Sequence, residues 1–180
     1  MNKLLILVTF SLSNLAIAGK MPVLHKIEQA TLTAPYSCKG SYEKSALFLS
    51  GFSKSQNAPD LLYNGACGSE NFIDASTAGD DFTLIADLGD VKLEDLTASK
   101  SFNIQNTVGQ DNTFKETQPV ILNHTYAVLI SKSDIRALYA FKVVSQTKDG
   151  AMTIRYAVKS YSIQETKAES EGFSWDRKNK

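Results

Sequence analysis

The sequence predicts an all-β or β-rich domain, an antiparallel β-sandwich or barrel-like sheet ending in a three-stranded meander. Three observations carry that expectation. Thr, Val, Ile, Phe and Tyr recur in short runs punctuated by turn residues. No long amphipathic helical period is present. The last third of the chain resolves into three strand-like segments whose turns agree on one apolar face.

Residues 1–18 are read as an export signal and set aside from the fold. Lys3 supplies the positive start, Leu4 to Phe10 the apolar run, and Ala16-Ile17-Ala18 the small-residue cleavage site before Gly19. The run is too short to span a bilayer, and no later segment reaches spanning length. Residues 19–164 then form one domain, large enough for its own core. Residues 165–180 form a charged tail in which Phe173 and Trp175 are the apolar exceptions, fit to dock back on the domain or to anchor a partner.

Within the domain, residues 22–34 read as a first strand. Residues 45–52 are ambiguous, and 53–60 and 64–81 read mostly as loop because Gly, Ser, Asn, Asp and Ala crowd them. Leu61-Leu62-Tyr63 is a brief apolar anchor between the two. Phe82 to Leu88 is a strand ending at Gly89-Asp90, and 91–98 suit one helical turn or a short strand. Residues 105–118 read as loop.

The meander spans 119–131, 135–147 and 151–163. With Asp149-Gly150 as a two-residue loop, Tyr139, Phe141 and Val143 fall opposite Ser160, Val158 and Tyr156. A four-residue loop from Ser131 to Asp134 places Tyr126 beside Tyr139 and His124 beside Phe141. Both turns leave the same apolar face, which one sheet cannot bury alone, so the earlier strands are expected to form a second layer.

Composition narrows the function. The chain is 43% apolar and 21% charged, as in a folded domain rather than a disordered one. It holds 19 basic and 19 acidic residues, and removing Lys3 with the leader leaves a charge of −1, which gives no case for nucleic acid. Cys38 and Cys67 are expected to form a disulfide after export. Their separation is unlike the Cys-x-x-Cys spacing of redox catalysts.

No nucleophile, phosphate-loop or zinc motif is present, and no cofactor is expected. His124 reads as a partly buried structural histidine. The acids between Asp74 and Asp95 match no calcium-loop spacing, which leaves a metal open. Asn123-His124-Thr125 is formally a glycosylation acceptor but lies inside a predicted strand, so it is read as coincidence.

The predicted register gathers Arg136, Lys142, Arg155, Lys159 and Tyr161 on the non-core face of the meander, without an acid among them. That face is a candidate site for an anionic ligand. The alternative is a solvated face, or one masked by other elements.

The segments Asp87-Leu88-Gly89-Asp90-Val91, Asn123-His124-Thr125-Tyr126-Ala127-Val128 and Tyr139-Ala140-Phe141-Lys142-Val143 resemble a strand set of uncharacterised exported bacterial β-sheet proteins. Those proteins usually carry Gly-His-Thr-Tyr where Asn123 begins the run here. The resemblance covers about a third of the chain and implies an exported β-module without an assigned activity.

The expected function is an exported, non-catalytic binding or interaction module of the bacterial envelope or extracellular space. Its partner would be a protein or glycan there, with no nucleic acid and no integral membrane span. An envelope hydrolase using loop carboxylates and a structural subunit are the alternatives.

Overall fold

The computed structural model describes residues 21–34, 42–54, 56, 58–65, 71–100, 114–148 and 150–164. The expected leader, both cysteines with their expected disulfide, and the C-terminal residues 165–180 lie outside the described residues. Among the described residues ten strands, β1 to β10, form two antiparallel sheets, as expected. The first sheet has the order β1-β10-β9-β8-β6-β5 and the second β2-β3-β4-β7. Among the described residues no helix is long and apolar enough to cross a membrane.

The first sheet is built on β8 (Thr125–Ser131), β9 (Ile135–Gln146) and β10 (Ala151–Ile163), the meander of the sequence. β6 (Asp81–Asp87) and the two-residue β5 (Thr77–Ala78) extend it beyond β8, and β1 (Glu28–Thr33) pairs with β10. The second sheet holds β2 (Ala46–Leu47), β3 (Leu61–Gly65), β4 (Asn71–Ala75) and β7 (Thr117–Pro119). A single helical turn, α1 (Tyr42–Ser45), precedes β2. Tyr126, Val128, Tyr139, Phe141, Val143 and Ile154 of the first sheet share one buried core with Leu61, Tyr63 and Ile73 of the second. The Tyr126 and Phe141 rings stack at 4.8 Å, a cross-strand aromatic pair.

Several sequence expectations need correction. Residues 64–81 are not mostly loop, because β4 and β5 lie there. β4 pairs with β3 and β7 and buries Ile73 in the core, which outweighs the turn preference of its Asn and Asp. The first strand is shorter than 22–34, and residues 120–124 form a turn rather than the start of β8.

Both meander registers also differ from the expected ones. Lys132 N–H donates to the Ile135 carbonyl and Ser131 faces Arg136, so the loop is the two-residue Ser133-Asp134. Tyr126 therefore faces Phe141, and His124 does not. Tertiary bonds fix this tight turn: Asp81 accepts from Ser133 N–H, and Asp134 accepts from Ser53 Oγ and Lys54 N–H.

At the other end, Gly150 N–H donates to the Thr147 carbonyl and Thr147 N–H to that of Ala151. Gly150 has φ +79°, which makes a three-residue loop with glycine in its left-handed position. The extra loop residue, then Val144 left unpaired on β9, bring Tyr156 opposite Phe141 and Val158 opposite Tyr139. A displacement of two residues preserves parity, so the predicted apolar face survives the register error. Lys159 is unpaired on β10 and reverses that parity. Tyr161 consequently faces Ala137 on the core side, contrary to its expected place among the basic residues.

The sheets join on one side and part on the other. Ile85 and Lys115 exchange two main-chain bonds of 2.8 Å, and Ala75 N–H donates to the Glu116 carbonyl. The chain thus crosses between sheets at 75–77 and again at 115–117. On the opposite side the edges β1 and β2 are not paired with each other among the described residues; α1 contacts both β1 and β3 there, and an opening remains beside the loop after β2.

Candidate functional site

At that opening a cleft of about 260 Å³ lies between the N-terminal segment, the loop after β2 and the ends of β9 and β10. Local conformation creates its first wall. Lys26 N–H donates to the Val23 carbonyl, and His25 has φ +62°, so the chain reverses just before β1. This turn places Met21 and Val23 at the cleft mouth. With Phe48 opposite, they make a rim of exposed apolar side chains (40%, 60% and 54%).

The opposite wall, residues 48–52, is held by a buried polar knot. Asp60 is fully buried and accepts from Ser50 N–H and Ser50 Oγ, both at 2.7 Å. Lys132, also buried, places Nζ 2.8 Å from the Asp60 carboxylate and 2.7 Å from Gln56 Oε1. Asp134 accepts from Ser53 and Lys54, as described above. The β8–β9 turn therefore clamps the loop that carries Phe48, Leu49 and Phe52.

Tyr139, Tyr156 and Val158 form the floor. Tyr139 donates to the Leu49 carbonyl at 2.7 Å, and burial pushes its phenol well above the ordinary tyrosine range. Tyr156 donates to Glu28 at 3.1 Å, and its pKa is pushed up to about 12, chiefly by burial and further by that carboxylate. Glu28 is held below its usual value first by the Lys26 bond at 3.0 Å and then by Tyr156. These phenols stay neutral, and Glu28 stays ionised and engaged. Near neutral pH the two phenols are therefore hydrogen-bond donors and Glu28 is an acceptor.

The predicted basic face has a different environment. Residues 88–98 cross it as a strap containing a 3-10 turn at Leu93–Asp95, within the segment expected to be helical or extended. Leu93 and Leu96 bury against Ala127, Leu138 and Ala140 of the sheet, a second small core. The residues brought together there are held by the strap. Lys142 Nζ bonds Asp90 at 2.7 Å and the Val91 carbonyl at 3.0 Å, and Arg155 pairs with Glu94 at 2.9 Å. Lys159 is buried, with Nζ on the Leu93 carbonyl at 2.7 Å. Arg136 stands apart and donates to Ser131 Oγ. Tyr161 meets Phe52 edge to face on the core side. This face is a covered surface edged by ion pairs, because the small residues Ala127 and Ala140 let the strap approach.

Burial lowers the Lys159 pKa, whereas the Lys142 bond lowers that of Asp90. Glu94 is lowered first by its own backbone N–H, with Arg155 adding to it. His124 is partly exposed, with Nδ1 2.9 Å from Asp87, whose Oδ1 accepts the Gly89 N–H. Asp74 is engaged by Asn64 and Thr117. Among the described residues no group of three or more His, Cys, Asp or Glu is placed to hold a metal ion.

The cleft residues were not singled out from the sequence. Two signals are present there, namely the apolar run Met21-Pro22-Val23-Leu24 after the expected cleavage site, and Phe48 and Phe52 on either side of Gly51. Fold and site define a two-sheet antiparallel β protein with a cleft at its unpaired edges. No family model, curated protein or solved structure matches the chain.

Proposed function

We propose that this protein is an exported, non-catalytic binding module of a bacterial envelope or the extracellular space, with the edge cleft as its binding site. One observation carries the reading: an apolar rim of Met21, Val23 and Phe48 stands exposed over a concave floor whose polar groups already bond one another. Exposed apolar side chains gathered around a concavity gain most by being covered. The cations of the sheet face support the anion-binding version less, because Lys142, Arg155 and Lys159 have partners within the chain.

The test replaces Phe48 with benzoylphenylalanine and irradiates the protein in envelope extract, with Lys92 replaced in the same way as a control. Adducts are expected at position 48 and not at 92. Equal labelling at both positions, or none at 48, would contradict the proposal.

A further inference from the structure

β9 flanks β10 along its length, but β1 covers the other edge of β10 only as far as Tyr156. The bond from His25 N–H to the Val158 carbonyl, 2.9 Å, is the last along that edge, because the left-handed His25 then turns the chain away. Beyond the Lys159 bulge, Gln164 N–H donates to the Asp134 carbonyl on the β9 side. This bond sets the phase of the strand. Ser160 and Ser162 direct their main-chain groups to β9, and Tyr161 and Ile163 direct theirs outward.

Among the described residues no strand pairs with this outward edge. Its sequence, Ser160-Tyr161-Ser162-Ile163, has neither proline nor charge, two common protections of an edge. Ile163 is 59% exposed. The same edge borders the cleft: Val158 lines the floor, and Phe52 of the far wall packs on Tyr161 at 5.6 Å.

We infer that the cleft and this edge together bind an extended peptide segment of a partner protein. The segment adds as a strand beside Tyr161–Ile163 and seats one bulky apolar side chain between Val23, Phe48 and Phe52. The inference rests on the proposed binding role of the cleft and names its ligand class. Two features select a peptide. Outward N–H and C=O groups at strand spacing are matched by another main chain. Apolar Val23, Phe48 and Phe52 line the cleft beside that edge, so a main chain paired along the edge can seat an apolar side chain among them.

A randomised ten-residue peptide library displayed on phage, selected on the chain from residue 19 onward, tests this. Selected peptides are expected to carry a bulky apolar residue flanked by strand-forming residues. Binding is expected to protect the amides of Tyr161 and Ile163 from hydrogen exchange. Ile163→Pro removes one outward N–H, leaves the β9 bonds intact, and is expected to weaken binding about tenfold. Phe48→Ala, at an exposed position, is expected to weaken it independently of any effect on folding, with thermal unfolding as the control.

Peptides that protect other amides, or bind Ile163→Pro unchanged, overturn the inference. So does an empty selection, and the proposed binding role then still stands or falls on the crosslinking at position 48. If the edge amides are already protected in the free protein and exposed by Phe173→Ser with Trp175→Ser, the occupant is the chain's own tail and the partner is ruled out.

Discussion

At the scale of single residues, Asp60 and Asn123 show how local chemistry places the site. Asp60 is a buried carboxylate whose only cationic neighbour described is Lys132, so its charge is tolerable only within the knot. Asp60→Ala strands the Lys132 ammonium in the interior and is expected to cost about 3–5 kcal/mol. Replacing Asp60 with Leu and Lys132 with Met together removes both charges and is expected to recover the part of that loss due to the stranded ammonium, with the Ser50 N–H and hydroxyl still lacking the carboxylate. Urea denaturation of the three proteins checks this, and a double variant no more stable than Asp60→Ala would refute the clamp. Asn123 has φ +67°, a left-handed conformation that glycine and asparagine adopt most readily. Glycine would meet the same backbone requirement at this position. The residue type was visible in the sequence, but the turn that demands it was not.

At the scale of elements, the strap and the two bulges decide which surfaces exist. Asp90 and Glu94 have pKa values below those of the unfolded chain, near 3.8 and 4.5. The unfolded state therefore binds more protons as pH falls through that range. Their contribution is present above the unfolded values and lost as pH drops through the folded ones. The strap amides of Val91, Asp95 and Leu96 are expected to lose hydrogen-exchange protection as the pH falls below the unfolded values of these acids, before those of β8 and β9. Simultaneous loss in strap and sheet would show that these acids do not latch it.

The sequence displayed the cations of β9 and β10 and the acids of 90–95 separately. Their pairing depended on the chain crossing back over the sheet. It also displayed the alternation that sets the faces of β9. Bulges at Val144 and Lys159 have no comparable signature, so Tyr161 was assigned to the wrong face.

At the scale of the whole molecule, the closed and open sides of the two-sheet fold locate the cleft. Crossings at 75–77 and 115–117 join the sheets on one side, and on the other, where β1 and β2 are not paired with each other among the described residues, the cleft lies. Export is the companion expectation at this scale. Mass spectrometry of protein recovered outside the cytoplasm is expected to find a chain beginning at Gly19. Its mass should be about 2 Da below the reduced value, as one Cys38–Cys67 disulfide requires. A retained leader would refute export through this signal, and two free thiols would refute the bridge.

Alternation along 126–143 and 151–158 by itself determined that this chain is a β protein with a meander and one apolar face. Side-chain parity is a local property of a strand and survives a two-residue shift. Tertiary structure alone decided that the basic face is covered and that the cleft exists. Both depend on where distant segments meet: the strap on Ala127 and Ala140, and the 21–25 turn opposite a loop held by Asp60 and Lys132. Pairing across such sequence separations is set by global packing, which no local pattern encodes.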